Sequence, residues 1–424
     1  MSFVLTIADI ARNLLRSAVV VMLVAHAGAA HAGTDQDLGW VLCSDDLSLT
    51  STIVERVDER SIVVVNAYGI RRVIGLDRVR MLLREHPEQI HAWKDQEGPS
   101  PTTSPVRIIT LSDGQRIRAT LMESNDPDSI SYQAIAGTSM HGAGKIPLDQ
   151  IRSIRDQYAP IEDDATDLLD DRVITRTGDT IVGFVESISK HTTITSLDDR
   201  TSRIETALIE SIGIANPHSD IPGVYLSLDD GEVLRSRSFD FDLKQPSMIS
   251  VDLGSLGLGG SDRDRWVFDA QSITAMRVRS PSDRVVALAL IVPERVEPTG
   301  NRPWTPSPVV LSQPGRDPIL DTIDLRAPLR ASYPLPEGAS RFACEISAPI
   351  EQWTDCVIRV STIGYDGQRE LLLEQRLNSE TPRVDFNQRL PRRASHLEFE
   401  IDPGVNGPIQ DRVLIERPRL LIQN

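Results

Sequence analysis

Apolar and polar residues alternate with a period of two over much of the first two thirds of the chain. In DRVITRTGDTIVGFV, residues Val173 to Thr177 alternate in this way, and the apolar run Ile181 to Val185 follows a Gly-Asp turn. A period of two places successive side chains on opposite faces of a strand, and Asp-Gly between two such runs is a hairpin signal. Asp-Gly occurs in this setting at 113–114 and 230–231. The pattern predicts β-strands joined by tight turns.

The pattern repeats four times between Trp40 and Ser280, and the first copy is the least regular. Each copy has about 45 to 55 residues, the size of a small five-stranded barrel, and its order of strands resembles SH3-like or Sm-like barrels. The polar and acidic segments between copies are typical of spacers, so we expect an extended stalk of modules. We predict repeats at 37–84, 106–156, 171–216 and 222–280, with linkers at 85–105 and 157–170.

Beyond Ser280 the strand-like runs follow one another at closer spacing. Six such runs are SRFACEIS, DCVIRVSTIG, RELLLEQRL, RVDFNQRL, HLEFEID and RVLIERPRLLI. Tyr365-Asp366-Gly367-Gln368 is typical of a turn between two of them. Many short strands within about 100 residues favour an antiparallel sandwich of two sheets. We predict such a sandwich at 285–424, and we interpret its last two runs as its last hairpin.

Several segments of this last domain resemble the NPCBM family of carbohydrate-binding modules. They are the run from Val285 to Trp304, the segment YPLPEGASRFACEISAPI, the strand-turn-strand VIRVSTIGYDGQRELLLEQRL and the end HLEFEIDPGVNGPIQD, where Asp411 matches the family. The resemblance implies a galactose-binding-like jelly-roll β-sandwich and a glycan ligand. The fold class expected for the whole chain is therefore all-β, with tandem small barrel-like repeats before this sandwich.

The amino-terminal 32 residues have the order of a secretory signal peptide. Arg12 and Arg16 precede the apolar run from Ser17 to Ala25, and the small-x-small sequence Ala30-His31-Ala32 follows it. The apolar run is too short for a hydrocarbon layer of about 30 Å, and no other stretch is long and apolar enough. We expect an exported protein, periplasmic or extracellular, with no membrane span after removal of the signal.

The composition narrows the classes of partner. The formal net charge is −16, and the acidic residues are spread along the chain. Such a surface repels phosphates, so nucleic acid is not an expected partner. Aromatic residues make up only 4% of the chain, which leaves few platforms for stacking on sugar rings.

Three cysteines occur in the chain, at Cys43, Cys344 and Cys356. An exported protein can form disulfides. Cys344 and Cys356 lie on neighbouring strand-like runs, so a disulfide across a hairpin is one expectation and free thiols are the other. Cys43 is then left over as a buried thiol.

Candidate ligand residues lie near the end of the chain. Asp402, Asn406 and Asp411 offer oxygen atoms that suit a structural calcium ion, although a plain turn is the preferred interpretation. Trp353 and Tyr365, with Asp411, are the candidate ligand-binding residues, and the alternative for both aromatic rings is a place in the core. No catalytic residue is predicted, because no metal-protease, phosphate-loop or nucleophile-elbow motif is complete.

The sequence thus predicts an exported, non-enzymatic, modular protein without a cofactor. The first hypothesis is glycan binding by the sandwich, with the repeats as a stalk. The second hypothesis is a structural or protein-interaction scaffold of the cell envelope that binds envelope proteins and no sugar. A hydrolase with dispersed carboxylates is the least favoured alternative.

Overall fold

The structure is a computed structural model, and the part of the chain that it describes contains 32 strands and short 3-10 helices. The predicted signal peptide at 1–32 and most of both predicted linkers lie outside the described residues. Within them, no helix is both apolar enough and long enough to cross a membrane. The described residues are 39–66, 68–85, 105–135, 143–157, 168–219, 221–229, 231–236, 239–242, 248–252, 265–269, 272–280, 282–300, 303–312, 317–349, 355–404 and 411–423.

The first unit has five antiparallel strands in the spatial order β4-β3-β2-β1-β5. A single 3-10 turn, Leu76–Arg78, separates its last two strands. The strands are β1 (Trp40–Ser44), β2 (Leu49–Asp58), β3 (Ser61–Val65), β4 (Arg71–Gly75) and β5 (Val79–Arg84).

The second and third units repeat this order and again carry a 3-10 turn before the last strand, at Leu148–Gln150 and Thr206–Leu208. The Asp-Gly turn of the second unit closes its first hairpin, with Gly114 at a φ of +83° that suits glycine. The strands are β6 (Val106–Leu111), β7 (Arg116–Met122), β8 (Ser129–Ala134), β9 (Ala143–Pro147), β10 (Ile151–Asp156), β11 (Asp171–Thr175), β12 (Thr180–Ile188), β13 (His191–Ser196), β14 (Thr201–Glu205) and β15 (Ile209–Gly213).

The fourth unit departs from the common order. Its first strand pairs with its second and its last strand, but its fourth and fifth strands pair only with each other. The first copy has the least regular sequence, yet the fourth unit has the least regular structure. The strands are β16 (Gly223–Leu228), β17 (Val233–Ser236), β18 (Asp240–Asp242), β19 (Met248–Asp252), β20 (Arg265–Asp269) and β21 (Ile273–Arg279).

Strands also pair between the units. β10 of the second unit pairs with β15 of the third, and β5 of the first pairs with β21 of the fourth. β18 adds to β2, and one bridge joins Val233 to Arg116. The expected stalk of modules separated by spacers is therefore wrong: the four units share backbone hydrogen bonds, and we call them together the strand array.

Two antiparallel sheets form the carboxy-terminal sandwich. The first sheet has the order β24-β25-β32-β27-β30, and β22 also pairs with β32. The second sheet has the order β23-β26-β31-β28-β29. The all-β fold class and the sandwich are confirmed. Its 3-10 turns are Leu288–Leu290 and Pro318–Leu320. The strands are β22 (Asp283–Ala287), β23 (Arg295–Glu297), β24 (Val309–Leu311), β25 (Thr322–Arg326), β26 (Leu329–Pro334), β27 (Ala339–Ser347), β28 (Asp355–Gly364), β29 (Arg369–Asn378), β30 (Arg383–Arg389), β31 (Ala394–Pro403) and β32 (Arg412–Gln423).

Aromatic rings fill the space between the two sheets. Phe342 of β27 packs 6.0 Å from Phe399 of β31, between ring centroids, and Tyr333 packs edge-on to Phe399 at 5.8 Å. The first pair joins strands of the two sheets, and the second joins neighbouring strands of one sheet. Edge-to-face pairs add to the free energy gained from burial. Tyr333, Phe342 and Phe399 thus serve the core of this domain.

A second apolar cluster joins the strand array to the sandwich. From the array it takes Val41, Cys43, Leu47, Met81, Leu83 and Ala275, and from the sandwich region Ala287, Ile319, Leu320, Ala343 and Leu421. The buried guanidinium of Arg419 crosses this junction, because its Nε donates to the Leu47 carbonyl at 2.8 Å. The array and the sandwich therefore share one continuous packed boundary.

The last segment of the chain is not the hairpin that the sequence predicts. β31 pairs with β26 and β28, whereas β32 pairs with β22, β25 and β27 in the opposite sheet. β31 and β32 therefore belong to different sheets. The turn predicted at 365–368, in contrast, joins two paired strands and is confirmed.

The predicted disulfide between Cys344 and Cys356 is wrong for the same reason. Cys344 lies on β27 and Cys356 on β28, and these strands belong to different sheets. Both thiols are free and buried, as is Cys43. Burial raises the pKa of Cys43 to about 11 and that of Cys356 to about 12, and it raises the pKa of Cys344 as well. Thiolates are the nucleophilic form, so these groups are chemically protected.

Thiol titration of the purified protein without reductant tests this arrangement. We expect almost no reaction with a thiol reagent at pH 8 in the native protein, because access and ionisation are both suppressed. After denaturation in guanidinium chloride, all three cysteines should react. A single reactive thiol after denaturation would show that two of them are bonded and would contradict the structure.

Candidate functional site on the outer face of the sandwich

Strand β31 divides its side chains between the core and the outer surface of the five-stranded sheet. Its inward side chains are buried between the sheets, and its outward side chains are polar. The inward set is Leu397, Phe399 and Ile401. The outward set is His396, Glu398, Glu400 and Asp402. Because β31 is the middle strand of its sheet, these four side chains run along the centre of the outer face.

Three arginines from neighbouring strands bind these acids. Arg330 of β26 donates its Nε to Glu400 at 2.8 Å, and Arg359 of β28 donates to the same carboxylate at 3.1 Å and also pairs with Asp402. Arg369 of β29 pairs with Glu398. We call this set of three arginines and three acids the charge ladder. It holds guanidinium and carboxylate groups next to each other on the outer face of the sheet.

The charge ladder is more buried than its position on an outer face suggests. The Glu398 side chain is only 5% exposed, and burial raises its pKa although two arginines oppose the shift. Burial also acts to raise the pKa of Glu400, but hydrogen bonds from Arg330 and Arg359 outweigh it and the net direction is down. Hydrogen bonds to Glu374 and Asp402 raise the pKa of Arg359 further. The carboxylates of Glu398, Glu400 and Asp402 are therefore held in ion pairs with arginine.

One end of this face carries an exposed aromatic ring. Tyr365 follows β28 directly and is 77% exposed, and its backbone N–H donates to the Arg393 carbonyl at 3.3 Å. His396 lies at the same end, because it pairs in register with Ile363, two residues before Tyr365. The His396 Nε2 is 2.6 Å from a carboxylate oxygen of Glu294. A ring, an imidazole and a carboxylate therefore occupy the same rim of the sheet.

The structure separates the residues that the sequence analysis grouped as one ligand site. Tyr365 follows the last residue of β28, whereas Asp411 contacts Asp355 at the first residue of the same strand. Ten residues of strand at about 3.3 Å each place these ends roughly 30 Å apart. Trp353 and Asn406 lie outside the described residues. Tyr365 is accessible to a ligand, and Asp411 is buried and belongs to a different place.

Asp411 is one of two buried acids at the other end of the sandwich. Its Oδ1 accepts the backbone N–H of Asp355 at 3.3 Å, and the Asp355 carboxylate is bound by Arg376 through two hydrogen bonds of 2.6 and 2.7 Å. No described residue donates to the Oδ2 of Asp411. Burial raises the pKa of Asp411, and the charge of Asp355 adds to the shift.

The predicted calcium ligands do not converge among the described residues. Asp402 points along the outer face to Arg359, and Asp411 lies at the end of the core beside Asp355. No group of three or more acidic, His or Cys side chains suited to a metal ion occurs in the described part of the chain. A structural calcium ion at these residues stays a prediction.

The charge ladder is absent from the predictions made from the sequence. Its signal is present in HLEFEID, where polar residues occupy every second position of a strand. The partners Arg330, Arg359 and Arg369 come from three other strands, and nothing in a local pattern shows that they face these acids. Only the order of strands in the sheet brings them together.

Comparisons with known proteins give no family for this chain. No protein family model matches it, and no curated protein matches it.

Partial likenesses to solved structures exist at low scores. A CBM51 from Clostridium perfringens GH95 in complex with methyl-galactose is 10% identical, covers 32% of this chain and 99% of its own, and has a TM-score of 0.24. The CBM51-2 and INT domains of Clostridium perfringens ZmpB are 13% identical over 55% of this chain and 44% of theirs, with a TM-score of 0.25. The tandem CBM51 modules of Sp3GH98 from Streptococcus pneumoniae are 14% identical over 75% and 88%, also at 0.25. Likenesses at these TM-scores support no argument about function.

The substitution Asp411→Asn tests the electrostatics at the buried end of the sandwich. A carboxyl whose pKa is raised on folding binds its proton more tightly in the folded protein, so the charged form costs stability above the folded pKa. We expect the wild type to be less stable than the variant at pH 7, and the difference in free energy of unfolding to shrink as the pH falls towards the unfolded value of about 3.9.

Urea denaturation at pH 7 and at pH 3.5 measures both free energies. The exposed Glu370 of β29 supplies the control variant Glu370→Gln, for which no such pH-dependent difference is expected. A gap between wild type and Asp411→Asn that widens as the pH falls would contradict the burial argument.

Proposed function

We propose that this protein is an exported, non-catalytic carbohydrate-binding protein of the cell envelope. We place its ligand surface on the outer face of the five-stranded sheet, at the rim formed by Tyr365, His396 and Glu294. The observation that carries the proposal is the exposed Tyr365 ring at the end of a face that is otherwise built from fixed polar groups. The resemblance of the sequence to the NPCBM family supports the same class of ligand.

The chemistry of the rim suits a sugar. The CH groups of a pyranose ring stack on the face of an aromatic side chain, and its hydroxyls exchange hydrogen bonds with polar groups placed beside that ring. Tyr365 offers the face, and the His396–Glu294 pair at 2.6 Å offers a donor and acceptor whose positions are already set. Because the groups are ordered before the ligand arrives, binding orders few side chains.

The state of the acids on the outer face supports a role without catalysis. A glycosidase needs one carboxyl that gives a proton and one that is free to act as base or nucleophile. Glu398, Glu400 and Asp402 are each bound by arginine in the charge ladder. Their ion pairs make them binding and structural groups.

Glycan-array binding by the full chain and by Tyr365→Ala tests the proposal. We expect a defined set of glycans to bind the wild type and the signal to fall about tenfold or more in the variant, since loss of a stacking ring costs on the order of 1–2 kcal/mol. Tyr68 supplies the matched control, because it is 78% exposed on the strand array. Tyr68→Ala should bind as the wild type does. Absence of binding to every glycan by the wild type would overturn the proposal.

The alternative function, an interaction scaffold of the envelope, has its own observation in favour. β24 is an edge strand of the other sheet, and its Val309, Val310 and Leu311 are 49, 43 and 42% exposed. An edge strand with exposed apolar side chains is a template on which an extended segment of another protein can add a strand. This edge would bind an apolar, extended peptide segment.

Site-specific photo-crosslinking tests the alternative. A crosslinking amino acid at Val310 should capture a discrete partner in cells that produce the protein, and the same group at Leu197, which is 74% exposed in a turn region of the array, should not. Addition of Val309→Lys to the protein that carries the crosslinker at position 310 should reduce the product about tenfold, because a charge would replace an apolar contact at the added strand. Equal products from both positions would argue against this function.

A further inference from the structure

An exposed aromatic ring lies on the outer face of the third unit of the strand array. Phe184 is 67% exposed, although its strand β12 is an inner strand that pairs with both β11 and β13. Its neighbours Gly183 and Val185 are buried on the opposite face, as the period of two requires. Among the described residues, Phe184 belongs to none of the apolar core clusters. The ring therefore projects into solvent from the middle of a sheet.

The pairing of strands places two hydroxyl groups beside this ring. Phe184 lies directly opposite Thr195 of β13, and Thr195 lies directly opposite Thr201 of β14. Residues that pair directly in an antiparallel sheet project to the same face. The ring and both hydroxyls therefore form one line across three strands.

Hydrogen bonds fix the polar part of this line. The Thr195 hydroxyl donates to Oε1 of Glu186 at 2.7 Å, and the hydroxyl oxygens of Thr195 and Thr201 are 2.9 Å apart. A hydroxyl has one proton, so Thr201 donates to Thr195 when Thr195 donates to Glu186. The remaining lone pairs, above all those of the carboxylate, accept hydrogen bonds from outside. We call Phe184, Glu186, Thr195 and Thr201 the Phe184 row.

A glycine allows the two central strands of the row to approach closely. A Cβ at Gly183 would lie 2.1 Å from the carbonyl oxygen of Thr195 and 2.7 Å from the Cα of Ser196. Both distances are far shorter than van der Waals contact, so a side chain there would push β12 away from β13. Glycine at this position thus keeps the Phe184 ring beside the Thr195 hydroxyl.

The first and second units have the same strand order but not the same row. At the place of the ring, the first unit has Ile53, which pairs with Val65. The second unit has Thr120 there, and it pairs with Gln133. The shared order of strands therefore does not require an aromatic ring beside hydroxyls, and the row is a feature of the third unit among these three.

Basic side chains flank the row on the same face. Arg172 of β11 pairs with Val182, which lies two residues before Phe184 on β12. Arg203 lies two residues after Thr201 on β14. Both arginines are exposed, and guanidinium groups are hydrogen-bond donors only. The face thus offers an aromatic surface, acceptors beside it and donors at its sides.

We infer that this face of the third unit is a second saccharide site, which binds a pyranose ring. The CH groups of the sugar cover the Phe184 ring, and its hydroxyls donate to Glu186 and Thr201. A hydroxyl that donates to a carboxylate makes a charge-assisted hydrogen bond, which is stronger than a neutral one. The inference goes beyond the function proposed above, because it places a saccharide on the strand array and does not depend on the rim at Tyr365.

Fluorine NMR of the full chain with 4-fluorophenylalanine at position 184 tests the site at the ring itself. Methyl β-D-glucopyranoside, methyl β-D-galactopyranoside and N-acetylglucosamine are titrated separately. We expect the resonance to shift and to saturate with at least one of them, because a stacked sugar replaces water on the ring. The same label in place of Tyr68, which is 78% exposed, is the control and should show no saturable shift. No saturable shift at position 184 with any of the three sugars would overturn the inference.

Variants of the labelled protein test the polar part of the row. Glu186→Gln should weaken binding about tenfold, because a charge-assisted hydrogen bond becomes a neutral one. Thr201→Val should weaken it about fivefold through loss of one acceptor. Both residues are exposed, so these variants should fold, which circular dichroism checks.

Two further variants show whether the effect belongs to this site. Leu197→Ala removes a side chain that is 74% exposed in the next turn and should leave the affinity unchanged. Tyr365→Ala should also leave the fluorine titration unchanged, so failure of the rim and failure of this site give different results. Equal affinities for Glu186→Gln and Leu197→Ala would contradict the inference.

Discussion

Burial of the first strands on both of their faces is the constraint on which the rest of the structure depends. In β1, Leu42 packs into the core of the strand array, while Val41 and Cys43 pack against the sandwich. In β5, Leu82 and Leu83 are divided in the same way. Apolar surface on two faces must be covered twice, so the array alone leaves part of it in water. The sandwich is therefore part of the packing of the array as well as a domain attached to it.

The same constraint explains what the sequence predicted well and what it did not. Strands and turns are predicted by the local alternation of apolar and polar residues and by the Asp-Gly pairs. These predictions match the described strands of the second and third units. The first copy looks irregular because WVLC and MLL are apolar at every position, which is the pattern of a strand buried on both sides. That pattern could have predicted a covering partner. The identity of the partner, Ala343 or Leu421, depends on packing between residues far apart in the chain.

Connections between sheets account for the wrong predictions near the end of the chain. Neighbouring apolar runs in sequence suggest a hairpin, and this expectation placed Cys344 beside Cys356 and made one hairpin of β31 and β32. In a sandwich, a strand can be followed by one in the opposite sheet, and a period of two does not reveal which sheet comes next. Tyr365 and Asp411 lie at opposite ends of the sandwich for a similar reason. Tyr365 follows the last residue of β28, whereas Asp411 contacts the first residue of that strand.

The charge ladder has a design that local sequence cannot show. One strand contributes its acids at alternate positions, Glu398 and Glu400. The strand that carries them is readable from its period. Their partners come from strands with distant sequence positions, and the balance of charge is set only by the order of strands in the sheet.

The pairing of β5 with β21 also limits when the sheet of the first unit can be completed during folding. The two strands are separated by roughly 200 residues, and contacts of such long range form slowly, since the intervening chain must first be confined. A chain that emerges from its amino terminus presents β5 as an open edge until β21 arrives. Until β21 is made, this edge of the first unit is available for strand pairing with other molecules.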